Sequence, residues 1–142
     1  MSRIALASDH AGFELKEILR DELKELGHEV LDLGTDSLDS VDYPDFGRKA
    51  AEAVAAGEAQ AGVIVCGTGI GISIAANRVP GARTALCHDI TTARLSREHN
   101  DANILALGAR IIGTEIARDC VRTFLATPFA GGRHQRRVDK LG

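Results

Sequence analysis

Five short apolar runs recur along this chain, and each is followed by a stretch whose apolar residues fall at helical spacing. That alternation constrains the fold more than any other feature. The runs are Ile4-Ala5-Leu6-Ala7, Glu29-Val30-Leu31-Asp32-Leu33, Ala61-Gly62-Val63-Ile64-Val65 ending at Cys66, Arg83-Thr84-Ala85-Leu86-Cys87 and Asn103-Ile104-Leu105-Ala106-Leu107. They are too short for helices and carry the aliphatic, partly β-branched residues of buried strands. After the first run, Leu15, Ile18, Leu19, Leu23 and Leu26 recur on one helical face from about Gly12 to Leu26. Glu17, Asp21 and Glu25 fall elsewhere, and Gly27 is placed to end the helix. A polar loop over 34–42 precedes a helix that Pro44 can start at its first position, with Phe46, Ala50, Ala53 and Val54 inward. Ile72 to Asn77 reads as a helix. Asp89 can cap another, and Thr114 a last one with Ile116, Cys120, Val121, Phe124 and Leu125 inward.

Strands alternating with helices predict the α/β class: one doubly wound, Rossmann-like domain over 1–142 with a five-stranded parallel sheet. A basic segment over 130–142 forms a C-terminal helical extension. Ligands of such sheets sit outside the carboxyl ends of the strands. Those ends carry Ser8-Asp9-His10, Gly34-Thr35-Asp36, Cys66-Gly67-Thr68, His88-Asp89 and Gly108-Ala109-Arg110. A net charge of -3 and a pI near 5.9 give no general attraction to nucleic acid or an anionic membrane. With no Trp, one Tyr and four Phe, the chain also lacks stacking platforms for bases. No apolar run approaches the ~20 residues of a membrane span, and no leader pattern opens the chain, so the expected location is the cytoplasm. Cys66, Cys87 and Cys120 match neither a zinc site nor a disulfide framework and are expected to be reduced.

Cys66-Gly67-Thr68-Gly69-Ile70-Gly71 places a thiol at a strand end and a glycine turn directly after it. Glycines let backbone N–H groups converge, and a helix start favours negative charge, so the turn suits an anion and a thiolate. The phosphate-loop spacing is absent, and the first β–α turn lacks the dinucleotide spacing, which argues against nucleotide cofactors. An arginine six residues after the thiol, which a cysteine phosphatase needs, is replaced by Ile72. Asp9 and His10 at the first strand end, and Arg97-Glu98-His99-Asn100, supply acid–base and polar groups. Arg133 and Arg137 lie four apart, on one face if helical, and two guanidinium groups so placed suit a phosphate. Each residue also has an ordinary role: Asp9 as a helix cap, His10 as a loop residue, His99 and Asn100 as a helix end, the arginines as a solvated tail. Cys87 and Cys120 read as small buried hydrophobes, and Asp36, Asp39 and Asp42 as acidic turn residues rather than a metal site. Together the residues suit acid–base chemistry on a polar, phosphorylated substrate.

The segments Ser8-Asp9-His10-Ala11-Gly12, Tyr43-Pro44-Asp45, Cys66 through Asn77, His99-Asn100 with Asn103, Gly108-Ala109-Arg110 and Gly131 through Asp139 span nearly the whole chain. In them the chain resembles the ribose/galactose isomerase family, in particular its type B ribose-5-phosphate isomerases. The resemblance implies an aldose–ketose isomerase without metal or other cofactor. It also implies a homodimer, sometimes paired into a tetramer, whose active sites draw on two subunits. Cys66 matches the base, which places this chain in the cysteine branch of the family, and His99 matches the acid that opens the sugar ring. The amides of Gly67, Thr68, Gly69, Ile70 and Gly71 would hold the developing oxyanion, and Asp9 the sugar hydroxyls. His10, Arg110, Arg133 and Arg137 would bind the phosphate end or orient the sugar, and Asn100 would help hold the enediolate. Ribose 5-phosphate is the favoured substrate. Allose 6-phosphate, galactose 6-phosphate and a tetrulose phosphate stay open, as does a sugar-phosphate sensor without catalysis.

Overall fold

Side chains alternate across a strand, so each apolar run serves two layers at once. The computed structural model describes residues 2–142. Strands β1 (Arg3–Ser8), β2 (Glu29–Asp32), β3 (Ala61–Cys66), β4 (Thr84–Leu86) and β5 (Ile104–Gly108) alternate with helices α1 (Phe13–Glu25), α2 (Tyr43–Ala55), α3 (Ile70–Ala76), α4 (Ile90–Asn100) and α5 (Thr114–Ala126). Helix α6 (Arg133–Asp139) follows. All strand pairs are parallel, in the order β2-β1-β3-β5-β4, as the alternation predicts. Ile4, Leu6, Val63, Val65, Leu105 and Leu107 face one layer, where they meet Leu15, Leu19 and Leu23 of α1 and Val121 and Phe124 of α5. Burying one such leucine stabilises the fold by about 2 kcal/mol. Ala5, Ala7, Ile64, Cys66 and Ala106 face the other layer, where α2 and α3 contribute Ala50, Ala51, Val54 and Ile72. The helix after β1 therefore lies on one face and the helix after β3 on the other, although the strands are neighbours. The crevice between the carboxyl ends of β1 and β3 follows from this divergence.

Several local expectations hold and several need correction. Gly27 ends α1 at φ +90, and the Thr92 N–H donates to the Asp89 carboxylate at 2.7 Å as the cap of α4. Helix α3, however, starts at Ile70 rather than Ile72, because Gly69 at φ +77 turns the chain directly into the helix. Gly113, not Thr114, is the cap residue of α5, and Pro44 is the second residue of α2. Leu26 and Ile116 point outward, with 42% and 45% exposure. Two charged side chains of α1 are buried instead. Lys16 is 1% exposed, and its ammonium donates to both Asp32 oxygens at 3.0 and 2.9 Å. Glu22 is held by Arg122 at 2.8 Å, which ties α1 to α5. Burial alone would raise the Asp32 pKa. Hydrogen bonds from Lys16 and the Gly34 N–H, with the charges of Lys16 and Arg20, bring it below its ordinary value.

The short edge strand β4 is blunted by a side chain. The Asn77 amide accepts from the Thr84 N–H at 2.7 Å and donates to the Thr84 carbonyl at 3.0 Å, as a neighbouring strand would. Among the described residues, no helix is long and apolar enough to cross a membrane.

Candidate active site

Cys66 is the last residue of β3 and is paired with Gly108 of β5, so the sheet fixes its backbone. Its side chain is 4% exposed, and Sγ accepts a hydrogen bond from the Gly69 N–H at 3.2 Å. Only a residue tolerant of positive φ can stand at Gly69, and a Cβ there would meet Leu86 Cδ1 at 2.5 Å. The Ile70 N–H is taken by the Thr68 hydroxyl at 3.2 Å. The N–H groups of Thr68 and Gly71 have no protein acceptor among the described residues and remain available at the helix start. The other two cysteines lie in the opposite core layer. Burial pushes the Cys87 thiol up, and burial with nearby acidic groups pushes Cys120 up to about 11. Both stay protonated and act as small core residues, as the sequence suggests.

The neighbouring strand end completes the crevice. Asp9 is 6% exposed; its Oδ1 accepts from the Gly12 N–H at 3.0 Å, while Oδ2 has no protein donor among the described residues. Gly12, not Asp9, is the cap residue of α1, and the Asp9 bond to it holds the turn before the helix, so the second oxygen is left for a ligand. The Val41 N–H donates to His10 Nδ1 at 3.1 Å, so the neutral ring carries its proton on Nε2. Arg110 follows β5, and its guanidinium lies over Gly67, 3.2 Å from where a Cβ would stand. It has no carboxylate partner among the described residues. An open pocket of about 540 Å³ is lined by Asp9, His10, Cys66, Gly67, Thr68, Ile70, Gly71 and Arg110, with Tyr43, Ala11 and Ile74. Its volume suits a small polar ligand. Tyr43 was not singled out as a site residue by sequence reasoning. The sequence signal for it is its place in Tyr43-Pro44-Asp45, one of the segments that carry the family resemblance.

The remaining predicted site residues lie elsewhere. Helix α4 begins beside the carboxyl ends of the strands and runs back for 11 residues, about 16 Å. His99 and Asn100 therefore stand at the opposite end of the sheet from Cys66. There the His99 ring stacks on His134 of α6, with centroids 4.4 Å apart and planes at 17°. Arg97 anchors this corner by donating to Asp101 at 2.9 Å and to the Thr127 carbonyl at 3.0 Å. Loss of hydration in the stack, then the charges of His99, Arg133 and Arg137, lowers the His134 pKa. Arg133 and Arg137 are exposed and have no acidic partner among the described residues. One copy of the chain thus holds two clusters, a thiol pocket and a histidine–arginine corner, and does not bring them together.

Comparison with known proteins places this arrangement. The family model described as Ribose/Galactose Isomerase matches residues 4–141. Ribose-5-phosphate isomerase B of Escherichia coli (strain K12) is 47% identical over 141 residues, covering 99% of this chain and 95% of that protein. D-erythrulose-4-phosphate isomerase of Pectobacterium atrosepticum is 40% identical over 143 residues, covering 100% of this chain and 94% of its own length. The solved structure of Clostridium thermocellum ribose-5-phosphate isomerase B superposes with a TM-score of 0.97 at 57% identity, covering 99% of this chain and 95% of that one.

Proposed function

From the premise that this chain belongs to the ribose/galactose isomerase family, and is an aldose–ketose isomerase of sugar phosphates, we propose that it interconverts ribose 5-phosphate and ribulose 5-phosphate. The observation that carries this reading is the Cys66 sulfur at the base of an open pocket, beside N–H groups at a helix start and the free Asp9 carboxylate oxygen. The Cys66 thiolate takes the proton from C2 of the open-chain aldose, and the electron pair forms the C1–C2 double bond of the enediolate, with the negative charge on O1. The O2 hydroxyl proton passes to O1, and the resulting thiol returns its proton to C1 as the C2 carbonyl forms, which gives the ketose. The amides of the 67–71 turn stabilise the negative oxygen while it exists. His99 donates a proton to the ring oxygen as the closed sugar opens, and the anomeric hydroxyl releases its own proton to water as the carbonyl forms. Asp9 holds sugar hydroxyls, His10 presents Nε2–H, and Arg110, Arg133 and Arg137 hold the phosphate end. Asn100 steadies the enediolate.

In this reading His99, Asn100, Arg133 and Arg137 come from a second copy. Support for the shared site is the helix length that separates them from Cys66 within one chain. The exposure of Arg133 and Arg137, with no acidic partner among the described residues, supports it as well. The purified protein, assayed in EDTA on ribose 5-phosphate, allose 6-phosphate, galactose 6-phosphate and erythrulose 4-phosphate, should show the highest kcat/KM with ribose 5-phosphate. A clear preference for another sugar phosphate changes the substrate and keeps the chemistry. Turnover of none would sink the reading and favour the sensor.

A further inference from the structure

Tyr43 is the polar side chain at the mouth of the thiol pocket to which the mechanism above gives no part. It is the first residue of α2 and is 42% exposed, yet it does not simply face solvent. Its ring lies against Gly71, so closely that a Cβ on that glycine would sit 2.4 Å from Cε1, 2.6 Å from Cζ and 3.0 Å from the phenol oxygen. The absence of a side chain at Gly71 thus makes room for the ring. The contact puts an aromatic wall next to the first turn of α3, in the pocket that Cys66, Asp9 and Gly71 line. The phenol hydroxyl makes no hydrogen bond to any described residue. A tyrosine with its body packed and its polar end unpaired in a ligand pocket is arranged to meet a ligand hydroxyl.

We propose that Tyr43 is a substrate-binding and specificity residue: its ring, seated on Gly71, walls the thiol pocket, and its hydroxyl hydrogen-bonds a hydroxyl of the sugar chain. This rests on the sugar-phosphate reading above and adds to it a contact made by the sugar rather than by the phosphate. It has a consequence for ligands. Inorganic phosphate has no sugar hydroxyl, so it engages the arginines without engaging Tyr43. A sugar phosphate engages both.

Tyr43 is the sole tyrosine in a chain without tryptophan, so tyrosine emission reports on this ring alone. Cys66→Ala protein, which binds without turnover, is titrated with ribose 5-phosphate and separately with inorganic phosphate, with calorimetry on the same samples. The expected result is a saturable emission change with ribose 5-phosphate and little with phosphate at calorimetric saturation. Kinetics then test the hydroxyl. Tyr43→Phe should raise KM for ribose 5-phosphate about three- to tenfold while inhibition by inorganic phosphate stays within about twofold. A ring that only packs would move both or neither. Gly71→Ala should keep or raise Tm, because alanine outranks glycine in a helix, and should still raise KM by displacing the ring. Calorimetric binding of ribose 5-phosphate with unchanged emission, and a Tyr43→Phe KM within twofold, would overturn the assignment and leave the isomerase reading standing. No heat and no turnover with any of the sugar phosphates would overturn both.

Discussion

The two ends of the sheet carry the same kinds of polar residue and hold them in opposite ways. At the carboxyl end, positions are set by backbone: Cys66 by the β5 ladder, its sulfur by the Gly69 N–H, Asp9 by the Gly12 N–H and His10 by the Val41 N–H. At the other end, His99, Asn100, Arg133 and Arg137 project from helix ends into solvent, and a ring stack is their main internal contact. The first arrangement is preorganised for chemistry, since little needs to move to meet a developing charge. In the proposed reading the second is half a site, whose arginines gain an anionic partner when a phosphate, and a neighbour's pocket, reach them.

The sharpest way to break this comparison is to disable each end separately and then mix them. Cys66→Ala should reduce turnover by about a thousandfold with Tm unchanged, and residual activity above a tenth would remove Cys66 as the base. His99→Asn should also be nearly inactive on ring-closed substrate. If the ends belong to different copies, mixing the two inactive homodimers under exchange restores activity to about a quarter of wild type, because half the dimers are hybrids and each hybrid keeps one intact site. Recovery would be absent if both ends acted within one chain.

His99→Asn also sharpens the role of the corner. General acid catalysis by a positioned side chain contributes about a hundredfold or more. That factor should be lost for the closed ring and largely spared for an open-chain aldose phosphate of the same length. Equal losses on both would take ring opening away from His99. Arg137→Ala should mainly raise KM, by about ten- to a hundredfold, as loss of a charge-assisted phosphate contact does. An unchanged KM would remove Arg137 from the phosphate site.

The same contrast explains what the sequence disclosed. The thiol end was legible because its determinants are contiguous: an apolar run, a cysteine and a glycine turn dictate strand, turn and helix with no reference to distant residues. The parallel sheet was legible for the same reason, from alternating periods. Buried Lys16 and Glu22 were not, because a charged residue on a helix reads as solvated until its partner is known, and the partners Asp32 and Arg122 lie on β2 and α5. The seat of the Tyr43 ring on Gly71 was hidden likewise, since it joins α2 to α3. The histidine–arginine corner was legible as a set of residue types, and its place only partly. Periodicity assigns His99 to a helix, but the distance from Cys66 emerges only from the direction in which that helix returns along the sheet.

The smallest effect expected is at the stack itself. His134 has its pKa lowered, first by lost hydration and then by the positive charges of His99, Arg133 and Arg137, so at neutral pH it is an uncharged ring against His99. Its folded pKa lies below the ordinary 6.5. The unfolded chain therefore takes up the proton more readily, and the contribution is fully present above 6.5, is lost as pH falls through the folded pKa, and favours unfolding below it. His134→Phe keeps a stacking ring and removes the titration. It should leave turnover near neutral pH within about threefold of wild type while making Tm less sensitive to pH between neutral and 5. A loss of a hundredfold or more would mean that His134 takes part in proton transfer. An unchanged acid dependence of Tm would mean that its lowered pKa does not couple to folding, and the corner would then be held by Arg97 and its contacts to Asp101 and Thr127 rather than by the two rings.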